Sequence, residues 1–109
     1  MGAEPKDILV VMVTAANQEE AARIADQAVR SHQAACATTI PTVHSMYWWE
    51  GKLVNDREAM VLLKTTAGKF QALQDTIQKM HSYEVPEIIA ISVSEGLPQY
   101  LEWVQKETS

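Results

Sequence analysis

Apolar residues fall along this chain in short runs with two different periods. Ile8-Leu9-Val10-Val11-Met12-Val13 is β-rich and apolar on both faces, the pattern of a central strand covered on both sides. Thr14-Ala15-Ala16 leads to Asn17, a good helix N-cap, with Glu20 three residues on in a capping-box-like arrangement and Glu19 suited to the positive helix end. Ala21, Ile24, Ala25, Ala28 and Val29 then recur at helical spacing, which predicts an amphipathic helix over Gln18 to about Gln33. From Ala34 to Trp49 β-branched and aromatic residues dominate. The stretch is long for one strand and Pro41 cannot donate a ladder hydrogen bond, so a bend or bulge is predicted near Pro41. Glu50-Gly51 reads as a two-residue turn and Lys52 to Thr66 as the returning strand of a long hairpin.

Ala67-Gly68 is predicted to break that pattern. Phe70, Leu73, Ile77 and Met80 mark a second amphipathic helix ending near His81, because Pro86 forbids its continuation and pushes Val85 into an extended conformation. Ile88-Ile89-Ala90-Ile91-Ser92-Val93 is a fourth strand, again apolar on both faces. Glu95-Gly96 is a turn, Pro98 suits a first helical turn, and Tyr100, Leu101, Trp103 and Val104 make a last amphipathic helix. The order β-α-β-β-α-β plus a C-terminal helix predicts the α+β class and a ferredoxin-like split βαβ sandwich. The expected layout is one domain over 1–109, with a flexible tail at 1–6 and a globular core at 7–106. Two helices cover only one face of such a sheet, yet Ile8–Val13, Ala59–Leu63 and Ile88–Val93 are not polar on the other. The last helix is too short to hide that face, so a second copy of the sheet is the expected cover, since an open apolar patch invites aggregation.

Composition alters this picture little. The chain has 109 residues, 47% hydrophobic and 21% charged, with net charge −5. One domain fits and two do not. An acidic surface repels phosphate backbones, so nucleic acid is not expected as a partner. The run Ile8–Val13 is far too short to span a bilayer, no basic-then-apolar leader precedes it, and no membrane association is expected. The single cysteine, Cys36, cannot form an internal disulfide, which points to a reducing compartment, and the chain is read as cytoplasmic or as the mature form of a protein targeted elsewhere.

Four motifs in order resemble a known family. They are Ala34-Ala35-Cys36-Ala37-Thr38, Tyr47-Trp48-Trp49-Glu50-Gly51-Lys52, Lys64-Thr65 and His81-Ser82-Tyr83-Glu84-Val85-Pro86-Glu87. Together they look like signatures of the CutA divalent-cation-tolerance family, over about Ile8 to Val104. The resemblance implies a ferredoxin-like fold, a homotrimer whose sheets pack edge to edge around a central axis, and a role in tolerance of or response to divalent metal ions. The chain departs from the family at several points. Leu-Ala-Ala-Cys-Val-Asn of many members is Gln33-Ala34-Ala35-Cys36-Ala37-Thr38 here, and the Pro of His-Pro-Tyr is Ser82. The copper ligands proposed for bacterial members, a Cys ending the first strand and a His-His pair after the second helix, fall at Val13 and Met80-His81. Only His81 remains as a metal-site residue.

The candidate chemistry gathers at few positions. Cys36 is a soft-metal ligand or nucleophile if His81 or Lys64 lies close, and otherwise a small buried hydrophobe. His81 and Glu84 are three apart and could share a metal if the helical turn persisted, although a His at a helix C-terminus and a Pro stop explain the segment equally well. Tyr47, Trp48 and Trp49 are assigned to an oligomer interface, where aromatics are enriched. Asp56-Arg57-Glu58 reads as a solvated charged face or an intersubunit ion pair, and His44 as structural or exposed. With Glu50-Gly51 as the turn, Cys36 faces position 65, or 64 or 66 if one residue bulges near Pro41. Cys36, Lys64, Tyr83 and Glu84 are therefore expected in one ligand cleft at a subunit boundary, His81–Glu84 passing nearby or arriving from an adjoining subunit. No cofactor is required. Cu(II) or another divalent cation is expected to bind weakly. The alternatives are a PII-like signalling or scaffold trimer without a physiological metal and, ranked below both, a Cys36/His81 enzyme, which lacks a third orienting group and any Gly-rich anion loop.

Overall fold

The structure is a computed structural model that describes residues 4–109. Its elements run β1 (Ile8–Ala15), α1 (Gln18–Arg30), β2 (Cys36–Trp49), β3 (Lys52–Thr66), α2 (Ala67–Met80), β4 (Ile88–Ser92) and α3 (Pro98–Glu107). The strands form one antiparallel sheet in the order β2-β3-β1-β4, the expected split βαβ topology with β1 and β3 in the centre. Of the expected tail, residues 1–3 lie outside the described residues. Glu4–Lys6 form a turn in which the Pro5 carbonyl accepts from Gly68 N–H at 3.0 Å and the Lys6 carbonyl accepts from Gln105 Nε2 at 3.0 Å.

Alternation along the strands sorts the side chains. Leu9, Val11, Val13 and Ala15 of β1 and Ala59, Val61 and Leu63 of β3 bury against Ala21, Ile24 and Ala28 of α1 and Leu73 and Ile77 of α2. On the other face Val10, Met12, Met60 and Leu62 are half-buried, and Ile89 and Ile91 are about half exposed at 50% and 51%. At one end of that face α3 packs Val104 against Ile8 and Ala35. At the other end the segment after α2 reaches Thr14 and Glu58. The middle stays open, and it is the surface for which a second copy was expected as cover.

Local rules fix the element ends. Asn17 Oδ1 accepts from Glu20 N–H at 2.8 Å as the α1 N-cap, and Glu20 Oε1 accepts from Ala16 N–H at 2.9 Å. Helix α1 ends at Arg30, short of the expected Gln33, because His32 takes a left-handed φ of 60° and Gln33 N–H turns back to the Ala28 carbonyl at 3.0 Å. The His32 ring Nδ1–H donates to the Glu107 carbonyl at 2.7 Å, tying this turn to the end of α3. The strand pattern ends where Ala67-Gly68 was expected to break it, and Gly68 falls in the first turn of the helix that follows. A Cβ there would sit 3.2 Å from the Pro5 carbonyl oxygen, so the glycine allows that close approach. The hairpin turns through Glu50 (φ 50°) and Gly51 (φ 79°), both left-handed as a two-residue hairpin turn requires. The β2–β3 register shifts between Ile40 and Val43, at the bulge expected beside Pro41.

Candidate functional site

The bulge has a direct effect on the site residues. It brings Cys36 opposite Lys64, one of the three register partners expected from the sequence. Ala35 N–H donates to the Lys64 carbonyl at 2.8 Å, Lys64 Nζ donates to Thr38 Oγ1 at 2.9 Å, and Cys36 Sγ lies 3.4 Å from the Tyr100 hydroxyl of α3. The thiol contact and burial raise the Tyr100 phenol to about 12.

His81, Tyr83 and Glu84 do not join this group within one chain. They stand near Thr14 and Glu58, and Glu58 lies six steps along β3 from Lys64, about 20 Å of extended strand. The expected single cleft is thus split into two regions. Strand β1 carries the segment after α2 to its own C-terminal end, whereas Cys36 enters at the opposite end of the sheet.

Around His81 the hydrogen bonds are complete. Its Nε2–H donates to the Thr14 carbonyl at 2.7 Å, and its Nδ1 accepts from Tyr83 N–H at 3.0 Å. A carbonyl can only accept and an amide N–H only donate, so the ring is the neutral Nε2–H tautomer. Glu20 lies beside it, Oε1 at 3.8 Å from Nδ1, and its Oε2 accepts from Ser82 N–H at 2.8 Å. Burial pushes the Glu20 carboxyl up, but the hydrogen bonds from Ala16 and Ser82 outweigh it and hold the group below the ordinary carboxylate value. Metal binding by His81 would require it to give up one of its bonds. Among the described residues no group of three or more His, Cys, Asp or Glu side chains is placed to hold a metal ion, so the donor set of one chain does not fit a closed metal site.

A cavity of about 620 Å³ opens beside this segment. Tyr47 and Trp49 of the hairpin form one wall, and Tyr83, Glu84, Val85 and Glu87 form another. Thr14, Asp56 and Glu58 line it from β1 and β3. The Tyr83 hydroxyl donates to Glu58 Oε2 at 2.8 Å and the Tyr47 hydroxyl to Asp56 Oδ2 at 3.2 Å. Burial, then the accepting carboxylates, raise both phenols.

Of the residues named in the sequence, Tyr83 and Glu84 line this cleft while Cys36 and Lys64 do not. Trp48 is 71% exposed, away from it. Glu58 corrects the expectation of a solvated charged face, since it is only 6% exposed. The signal was in the alternation: positions 56 and 58 of a strand share one face, and position 57 points to the other. Thr14 carried no such signal.

All three tyrosines of the chain therefore have raised phenols. A folded value above the unfolded one contributes stability below about pH 10 that is lost as pH rises through the folded values. Absorbance at 295 nm should show little phenolate at pH 10 in the folded protein and a step when it is unfolded at that pH. Ordinary titration of all three in the folded state would refute the carboxylate and thiol contacts.

Sequence and structure comparisons agree with one another. A profile of the CutA1 divalent ion tolerance protein family matches residues 9–107. The divalent-cation tolerance protein CutA of Thermus thermophilus is 38% identical over 99 residues, 91% of this chain and 96% of that protein. The chloroplastic protein CutA 1 of rice is 38% identical over 100 residues, but this chain spans only 56% of its length. The structure of the periplasmic divalent cation tolerance protein CutA of Archaeoglobus fulgidus superposes with a TM-score of 0.90 at 34% identity, covering 94% of this chain and 99% of that one.

Proposed function

The chain belongs to the CutA1 divalent ion tolerance family, and on that premise we propose that it is a non-enzymatic homotrimer that binds a small positively charged ligand in its acidic cleft, at a subunit boundary. The observation that carries this reading is the sign of the cleft. Asp56, Glu58, Glu84 and Glu87 line it, and no Lys, Arg or His does. Converging like charges in a partly enclosed cavity concentrate counter-ions. A binding role is favoured over catalysis because Cys36 contacts a phenol and faces a lysine, while His81, its expected base, lies at the other end of the sheet with both nitrogens engaged. Cu(II) or another divalent cation is expected to bind weakly for lack of ligands.

Trimerisation is proposed because Ile89, Ile91, Met46, Trp48 and Trp49 are all at least half exposed, on the uncovered sheet face, its β4 edge and the hairpin. No helix among the described residues is long and apolar enough to cross a membrane. The cytoplasmic location remains part of the proposal. Relatives named chloroplastic and periplasmic indicate that the fold serves other compartments too.

Light scattering coupled to size exclusion should give about three times the 12.1 kDa of one chain. A monomer at micromolar concentration would sink the trimer. Calorimetric titration with Cu(II) or Zn(II) should reveal no site tighter than about 1 μM, given so few free ligands. A nanomolar site would overturn the weak-metal reading.

A further inference from the structure

We propose that the acidic cleft is a receptor for a small organic cation, one with an ammonium or guanidinium head on a short apolar body, and that Glu58 and the aromatic walls hold its head. This rests on the cation-binding reading above and narrows it to a ligand class.

Size is the first reason. A cavity of about 620 Å³ lies within the range of small-molecule sites, and a bare divalent ion would leave most of it to water. The walls are the second. Tyr47, Trp49 and Tyr83 present aromatic rings, and Met46 and Val85 add aliphatic surface. Such groups give a hard metal ion nothing, since it seeks six or more oxygens. They stabilise an organic cation twice, through the ring quadrupole and through burial of its carbon body.

The carboxylates themselves supply the third reason, because the two inner ones are not equivalent. Asp56 is fully engaged, Oδ2 with the Tyr47 hydroxyl and Oδ1 with Arg57 N–H at 3.0 Å, so it positions the Tyr47 ring. Glu58 is only 6% exposed, and its Oε2 takes the Tyr83 hydroxyl. Its Oε1 has no hydrogen-bond partner among the described residues, although the side chain lines the cavity. Facing the cavity with one oxygen that takes no protein donor, this carboxylate can accept an incoming N–H, and charge-assisted bonds of this type are the strong ones. Glu84 and Glu87, both exposed, sit at the rim, where they attract a cation without fixing it.

The test is a chemical-shift titration of the assembled protein, read at the Trp49 indole N–H and the Tyr83 ring, with n-butylammonium chloride, n-butanol and zinc chloride in turn. Butylammonium should give a saturable shift, and butanol, the neutral match, none at the same concentration. Glu58→Gln keeps an acceptor for Tyr83 and should weaken butylammonium about tenfold. Trp49→Ala, at a half-exposed site outside the helix-covered core, should weaken it several-fold in a variant whose assembly light scattering shows to be intact. Asp75→Asn, an equal charge loss on exposed α2, should leave it unchanged. Equal shifts with butanol would overturn the proposal. Zinc saturating the same resonances more tightly than butylammonium would also overturn it while leaving the broader cation reading in place. No saturable shift from either cation would remove both.

Discussion

Glu20→Ala should lower the unfolding free energy by about 3–5 kcal/mol, because it strands two part-buried N–H groups and removes a buried charge that three segments share. Glu20 is 3% exposed. One oxygen closes the start of α1 through Ala16 N–H and lies 3.8 Å from His81 Nδ1, and the other holds Ser82 N–H. A helix start is thereby joined to the loop that carries Tyr83 into the cleft. Glu20→Gln keeps one acceptor and should lose roughly half as much. The carboxyl is held below its ordinary value, so its contribution is present above the unfolded pKa and is lost as pH falls through the lowered folded value. Urea unfolding of the wild type and both variants at pH 7 and at pH 3 checks this. A loss under about 1 kcal/mol at pH 7, or a wild-type advantage that persists undiminished in acid, would refute the role given to Glu20.

Leu63→Ala should cost about 3–5 kcal/mol by a different route, the loss of transfer energy plus a residual cavity. Leu63 is fully buried on central strand β3, between Val11 of β1 and Ala37 of β2. Flanking strands are hydrogen-bonded to it on both sides and helices pack above, so the site cannot collapse to fill the hole. Leu62→Ala is the matched control. Its half-buried side chain points to the open sheet face and should cost less than half as much in a single chain. Urea midpoints measured at a protein concentration where one assembly state prevails separate the two. Equal losses at 62 and 63 would mean that the open face is covered as completely as the helical one.

The fold was legible because each signal in it is local and periodic. Asn17 and Glu20 mark α1, α2 stops at Met80 ahead of Pro86, and Glu50-Gly51 sets the hairpin. A two-residue turn and a bulge at Pro41 narrowed the partner of Cys36 to positions 64–66, and the structure selects Lys64. The cleft was half legible. Tyr83 and Glu84 stood out, but Glu58 was hidden within a charged triplet whose middle member faces the other way. Which end of the sheet the 81–87 segment would cross was not encoded locally. It depends on the buried bond of His81 to Thr14 and the part-buried bond of Ser82 to Glu20, each across more than 60 residues of chain.

The placement of the tryptophans bears on how this protein can be observed. The three lie at 48 and 49 near the hairpin turn and at 103 in α3, with exposures of 71%, 51% and 40%, and none belongs to the helix-covered core. Intrinsic fluorescence is therefore blind to the packing of β1 and β3 against the helices. Its emission maximum reports what covers the hairpin end, and it should move to the blue on association of subunits. Far-ultraviolet dichroism reports the sheet and helices instead. When the two signals are followed through the same denaturant series, a fluorescence change that precedes the dichroism change marks dissociation of folded chains, and coincident curves mark chains that fold only together.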